Sequence, residues 1–137
     1  MKAGTSWADK LRDGKQHQVK VVPINIAGMK KGQMMLVPSA RIVDAFIRRL
    51  PEGRLLDTRE LRARLARKYH TEVTCPITMG FILRIVAEAA WEARQAGAAK
   101  GDITPVWRVL DEDSLTLKKL PKAAAAFFHT RRAEEAA

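Results

Sequence analysis

One stretch near the middle of the chain, from Pro76 to about Gln95, constrains the fold most. A proline suits the first turn of a helix, because the amide N–H that it lacks would have no helical partner there. At helical spacing the apolar side chains of this stretch cover so broad a surface that most of it must be buried. They are Ile77, Phe81, Ile82, Ile85, Val86, Ala89, Ala90 and Ala93. The sequence therefore predicts a central core helix.

Two shorter helices are predicted before this core helix. Ser39 is a suitable N-cap for the first, and Pro51 ends it. Asp57 and Glu60 match a capping box, so the second helix is predicted from about Thr58 to Tyr69. The predicted buried stripes are Val43, Phe46, Ile47 and Leu50 in the first helix, and Leu61, Leu65 and Tyr69 in the second.

The C-terminal part predicts a β-hairpin followed by a helix. Ile103–Leu110 and Leu115–Leu117 have the composition of two strands, joined by the acidic turn Asp111–Asp113. A last helix is predicted from Pro121 to about Glu135. The order of helix, basic helix, bend, buried helix and hairpin is typical of a winged helix-turn-helix. The predicted fold is mainly α with a small β-hairpin, which would be the wing.

The first part of the chain, residues 1–36, is predicted to be a basic N-terminal extension to a domain formed by residues 37–137. Ser6 is a suitable cap for a short helix, and Val19–Ile26 has the character of a strand that Pro23 would confine to a sheet edge. The cations of the extension either follow a phosphate backbone or stay solvated. They are Lys2, Lys10, Arg12, Lys15, Lys20, Lys30 and Lys31.

The chain is strongly basic, with 25 Lys and Arg against 15 Asp and Glu and a formal net charge of +10. Such an imbalance is expected of a protein that binds phosphates, although charge that serves only solubility is an equal alternative. Basic residues are densest between residues 41 and 70, where nine of them face four acidic ones. This charge pattern agrees with a nucleic-acid partner, but charge alone does not decide between the two alternatives.

Other classes of protein are disfavoured by what the sequence lacks. The single cysteine excludes an internal disulfide, and the three scattered histidines match no zinc-binding spacing, so no metal or cofactor is expected. No apolar run approaches the roughly 20 residues that cross a bilayer, and residues 1–15 lack a signal core. The sequence thus predicts a cytoplasmic protein with no membrane association.

Three short segments resemble the alkylguanine-DNA alkyltransferase family, in the order in which that family has them. Thr104–Leu110 keeps the Pro, Arg and Val of the family's reactive Pro-Cys-His-Arg-Val segment. Gly53–Leu61 is similar to the Gly-Arg-Val-Thr-Thr-Tyr-Gly-Gln-Ile stretch that enters the family's helix-turn-helix, and Ile77–Gly80 falls where its recognition helix starts with Arg-Ala-Val-Gly. The resemblance runs from about Ser39 to the C terminus and implies a winged-helix DNA-binding domain of alkyltransferase type.

The departures from the family pattern bear on function. Val106 stands in place of the reactive cysteine and Trp107 in place of the histidine beside it. Thr58 replaces the tyrosine that rotates a phosphate, and Ile77 replaces the arginine that fills the gap left by an extruded base. Ile77 is either an apolar wedge that intercalates into DNA or a core residue, and packing in the core is the favoured prediction. Trp107 is predicted to pack in the core or on the hairpin, not to sense a lesion. The resemblance therefore implies a non-catalytic DNA-binding protein, linked to recognition of alkylated DNA or to DNA repair.

The predicted DNA contacts combine the cations of the second helix with the start of the core helix. Arginine and lysine would contact phosphates, and small residues at the helix start would let the backbone approach a groove. The predicted set is Arg54, Arg59, Arg62, Arg64, Arg67, Lys68, Thr78, Met79, Gly80 and Arg108. No catalytic residue is predicted.

Two alternatives come from other functional classes. Cys75 precedes a predicted helix, whose dipole favours a thiolate, so it is a candidate alkyl acceptor with His70 near it in sequence. A protein-interaction module on the same fold is the other alternative. It is suggested by the acidic turn Asp111–Asp113, because a wing tip with three carboxylates would be repelled by DNA.

Overall fold

The computed structural model describes residues 6–137; Lys2, assigned to the basic extension, lies outside them. The described chain is mainly helical with one small sheet, as the sequence predicts. Its helices are α1 (Trp7–Asp13), α2 (Ala40–Arg48), α3 (Thr58–Lys68), α4 (Pro76–Gln95), α5 (Leu115–Lys119) and α6 (Lys122–Ala136). Its strands are β1 (Gln18–Val21), β2 (Met34–Val37) and β3 (Val73–Thr74).

The long helix α4 is the centre of the core, as predicted. Helices α1, α2 and α5 pack against it, and its buried side chains include Met79, Leu83 and Val86. Phe128 of α6 is 1% exposed and belongs to the same cluster. Burying each large apolar side chain stabilises the fold by about 1.5–3 kcal/mol, so this cluster supplies most of the driving force for folding.

The helix starts follow the caps that the sequence predicts. The hydroxyl of Ser39 accepts a hydrogen bond from the Ile42 amide at 3.3 Å. At the start of α3, the Glu60 amide donates to Asp57 Oδ1 at 2.7 Å, and the Asp57 amide donates to Glu60 Oε1 at 3.4 Å. Each contact joins residues three apart in the chain, which is why the sequence pattern alone predicts it.

The sheet has the order β1-β2-β3. Strand β1 runs antiparallel to β2, with Val19 opposite Leu36, and β3 runs parallel to β2. The amide of Cys75 donates to the Leu36 carbonyl at 2.9 Å, which places the sheet at the N-terminal end of α4. The hairpin beside α3 and α4 is therefore formed by chain that precedes them.

The predicted C-terminal hairpin is wrong. Val106–Arg108 forms a 3-10 turn, and Leu115–Lys119 is the helix α5. A strand with one solvated face would alternate between buried and exposed residues, whereas every residue from Ile103 to Trp107 is buried. Contacts on all sides have overridden the strand-like composition of this segment, so there is no wing at this position.

The N-terminal segment packs with the remainder of the described chain. The boundary predicted after residue 36 falls inside β2. Val22 and Met29 are buried with Met35 and Cys75 in a second, smaller apolar cluster. No helix between residues 6 and 137 is both long and apolar enough to span a membrane.

Candidate nucleic-acid interface

Helix α3 carries five basic side chains in eleven residues. Leu61, Leu65 and Ala66 form its buried side and fix which side faces solvent. Of the basic residues, Arg59, Arg67 and Lys68 are exposed, and Arg62 and Arg64 are partly buried. The prediction that the basic residues of this helix lie on its outer surface is confirmed.

These five cations have no anionic partner in the part of the chain that the structure describes. Within residues 6–137, none of them lies within 4.0 Å of a carboxylate oxygen. The acidic residue of the helix, Glu60, is held in the capping box with Asp57. Like charges at this density repel one another, so an external polyanion would stabilise the surface.

A cleft of about 410 Å³ lies along the N-terminal half of α3. It is lined by Ala27–Met29, in the β1–β2 connection, and by Arg59 and Arg62 of α3. Lys30 and Lys31 directly follow Met29 and are exposed. We call this the α3 cleft.

The carboxylate of Glu72 also lines the α3 cleft. Its Oε1 atom accepts a hydrogen bond from the Met34 amide at 3.0 Å, which ties this side chain to the sheet. The excess of arginine over carboxylate leaves the cleft cationic.

Of the three residues predicted to contact DNA at the start of α4, only two are accessible to solvent. Met79 is 1% exposed, so its side chain belongs to the core and is not available to a groove. Thr78 is partly buried, and its hydroxyl donates to Cys75 Sγ at 3.5 Å. Gly80 is partly exposed, and a β-carbon added there would meet nothing within 4 Å, so the fold itself does not require glycine.

The prediction that Ile77 packs in the interior is wrong, and the same holds for Phe81. Their side chains are 50% and 66% exposed. They lie one helical turn apart near the start of α4, and Ile77 directly follows Pro76, which lines the α3 cleft. The broad apolar surface of α4 therefore extends beyond what the other elements cover.

Two further predicted contacts lie in different surroundings. Arg54 is exposed in the loop before α3. Arg108 points inward: its Nε donates to Glu135 Oε1 at 2.9 Å, and its Nη1 donates to the Leu50 carbonyl at 2.8 Å. The structure gives Arg108 internal partners, so we leave it and Met79 out of the interface.

Glu135 is the residue that sequence reasoning missed. It accepts hydrogen bonds from Trp107 Nε1 at 2.6 Å, from Arg108 Nε and from the Gly53 amide at 2.8 Å. Burial works to raise the pKa of Glu135, but these hydrogen bonds and the Arg108 charge outweigh it and lower the pKa below its usual value. Its partners are distant in sequence, so no local pattern marks it.

The segment that resembles the reactive segment of alkyltransferases is thus held internally. Val106 is fully buried, and the buried Trp107 ring stacks on Phe128 with ring centroids 6.3 Å apart. The Thr104 hydroxyl donates to Asp44 on α2. The prediction that Trp107 packs in the interior is confirmed.

Cys75, the alternative nucleophile, is 8% exposed and packs with Val22, Met29 and Met35. Among the described residues, its side chain has a hydrogen bond only with Thr78. His70 is exposed. No group of three or more His, Cys, Asp or Glu between residues 6 and 137 is placed to hold a metal ion.

The acidic turn Asp111–Asp113 lies between Leu110 and α5. Its predicted position at the tip of a wing is wrong, because neither flanking segment is a strand. The three carboxylates therefore do not lie at a wing tip where DNA would repel them.

No protein-family model matches this chain, and the searches of curated proteins and of solved structures found no match either. The resemblance to alkyltransferases stays a prediction from the sequence.

Proposed function

We propose that the protein is a non-catalytic DNA-binding protein, of the alkyltransferase-like type, that docks on the phosphate backbone through α3 and the α3 cleft. The observation that carries the proposal is the set of five α3 cations without a carboxylate partner among the described residues. A phosphate backbone supplies closely spaced anions, and neutralising them releases condensed counterions, which drives binding.

The chemistry of the side chains fits phosphate. Arginine presents a planar fork of donors that matches two phosphate oxygens, and both Arg59 and Arg62 line the α3 cleft. Arg67 and Lys68 extend the cationic surface toward the end of the helix. Arg54 extends it in the other direction, in the loop before α3. Contacts of this kind position a protein on DNA without reading its sequence.

The start of α4 supplies candidates for contacts beyond the phosphates. Thr78 and Gly80 are partly accessible, and Ile77 and Phe81 expose apolar groups to solvent near the start of α4. Proteins that deform DNA insert apolar side chains of this type between base steps. Alkyl transfer is not part of the proposal, because a buried valine occupies the position that the resemblance gives to the nucleophile.

A salt titration of duplex binding tests the proposal. The test variant is Arg59→Gln/Arg62→Gln/Arg67→Gln, and the matched control is Lys118→Gln/Lys119→Gln/Lys122→Gln, which removes the same charge from exposed residues of α5 and α6. Each lost phosphate contact should reduce the slope of log K against log salt by about 0.9. The slope should therefore fall by up to three times this amount in the test variant and should not change in the control.

Two results would reject the proposal: a slope near zero for the unmodified protein, or an equal loss in both triple variants. Comparing plain and alkylguanine-containing duplexes in the same titration tests the link to damage. Tighter binding to the alkylated duplex is the expected result.

A further inference from the structure

Strand β1 forms an uncovered edge of the sheet. All four of its residues, Gln18–Val21, are exposed, and within residues 6–137 no strand pairs with its outer side. Val19 and Val21 are 47% and 56% exposed, and Met34, opposite Val21, is 39% exposed. Exposed edge strands with apolar side chains are templates for pairing with another chain.

The hydrogen-bond pattern shows which backbone groups of β1 are free. The Val22 amide donates to the Gln33 carbonyl at 2.9 Å. In an antiparallel pair every second residue is bonded to the partner strand, so Val22, Lys20 and Gln18 are the residues bonded to β2. On β2, the carbonyls of Met34 and Leu36 accept hydrogen bonds from the β3 side, in agreement with this alternation. The N–H and C=O groups of Val19 and Val21 therefore point to the open edge.

A groove of about 380 Å³ lies on the face of the hairpin that carries Gln18 and Lys20. Val37, Ile82 and Ile85 contribute apolar surface to it. Three lysines line it, and none of them forms an ion pair with a described residue. They are Lys10, Lys15 and Lys20. No carboxylate from residues 6–137 lines this groove; the nearby Asp9 and Asp13 line a neighbouring depression with Lys10.

We propose that β1 binds an extended acidic segment of a partner protein, which adds to the sheet as a fourth strand. The free groups of Val19 and Val21 supply main-chain hydrogen bonds to that segment. Its side chains alternate between the two faces of the sheet. On one face apolar side chains meet Val19 and Val21, and on the other face carboxylates meet the lysines of the groove.

Charge argues for an acidic partner over a second copy of this chain. The chain has a net charge of +10, and pairing β1 with itself would bring the groove lysines of two copies together. Like charges placed opposite each other across paired strands are destabilising. A segment with alternating apolar and acidic residues can contact the apolar side chains of the β1 edge and also pair with the lysines of the groove.

The probe is a fluorescein-labelled peptide, Glu-Val-Glu-Val-Glu-Val, with blocked ends, whose binding is measured by anisotropy. A version N-methylated at all six residues keeps the charge and side chains but has no N–H to donate to β1, so it cannot complete the ladder. A Lys-Val-Lys-Val-Lys-Val peptide reverses the charge. We expect the Glu-Val peptide to bind and the other two peptides not to bind. If the N-methylated peptide bound equally well, the proposal that the segment adds to the sheet as a strand would be wrong.

Variants locate the site on the protein. Lys15→Gln/Lys20→Gln should weaken binding roughly tenfold, about two- to fivefold for each exposed charge pair. The control Lys118→Gln/Lys119→Gln removes equal charge elsewhere and should leave binding unchanged. An equal loss in both variants would overturn the groove assignment.

Two further measurements separate this site from the α3 cleft and from self-association. Duplex DNA should not displace the acidic peptide, whereas complete displacement would place the peptide on α3 and overturn the proposal. Sedimentation should show a monomer at micromolar concentration. A dimer dispersed by Val19→Pro, which removes an outward N–H, would identify a second copy as the occupant and also overturn it.

Discussion

Replacing Glu135 with glutamine tests whether the contacts around Thr104–Arg108 hold α6 to the body of the fold. Glu135 accepts from three donors: the indole of Trp107, the guanidinium of Arg108 and the Gly53 amide. Its side chain is 9% exposed and that of Arg108 is 14% exposed. Glutamine has one acceptor oxygen and an amide group that donates, so at least one of these donors loses its partner.

The expected loss follows from these contacts. Hydrogen bonds to a charged group contribute about 1.5–3 kcal/mol each, and removing one partner of a buried ion pair costs about 3–5 kcal/mol. We therefore expect Glu135→Gln to lower the free energy of unfolding by about 3 kcal/mol in urea denaturation. The control is Glu134→Gln, because Glu134 is 50% exposed and pairs with Arg131 on the surface. That variant should lose at most about 1 kcal/mol.

The dependence on pH gives a second readout. Because folding lowers the pKa of Glu135, its ionised form stabilises the folded state above its ordinary pKa, and this stabilisation is lost as pH falls through the lowered value. The difference in stability between the unmodified protein and Glu135→Gln should therefore be constant near neutral pH and shrink in acid. A loss no larger than that of Glu134→Gln, or a difference that does not change with pH, would show that the ionised Glu135 carboxylate does not hold α6 in place.

Three other predictions concern the caps, the exposed apolar pair and the cysteine. Asp57→Ala should reduce stability by about 1 kcal/mol in urea, because the Glu60 amide loses its acceptor; no change would contradict the capping assignment. Phe81→Gln should alter stability by less than about 0.5 kcal/mol, since the ring is 66% exposed, and should weaken duplex binding; undiminished binding would remove Phe81 from the interface. Incubation with alkylguanine-containing DNA should leave the intact mass unchanged, whereas an added alkyl group would restore Cys75 as an acceptor.

The sequence alone determined the features that depend on nearby residues. The starts of α2, α3 and α4 follow from Ser39, from the Asp57 and Glu60 pair and from Pro76, because capping and helix initiation involve residues one turn apart. The cationic character of α3 was predictable in the same way. Helical periodicity placed Leu61 and Leu65 inside, so the basic residues had to face outward.

Only the tertiary structure decided the features that depend on distant parts of the chain. Ile103–Leu110 has the composition of a strand, but contacts with α2, α6 and the loop before α3 bury it in another conformation. Ile77 and Phe81 have a periodicity that suits a core, yet no described element covers them. Periodicity shows which side chains share a helix face; whether that face is buried depends on what packs against it.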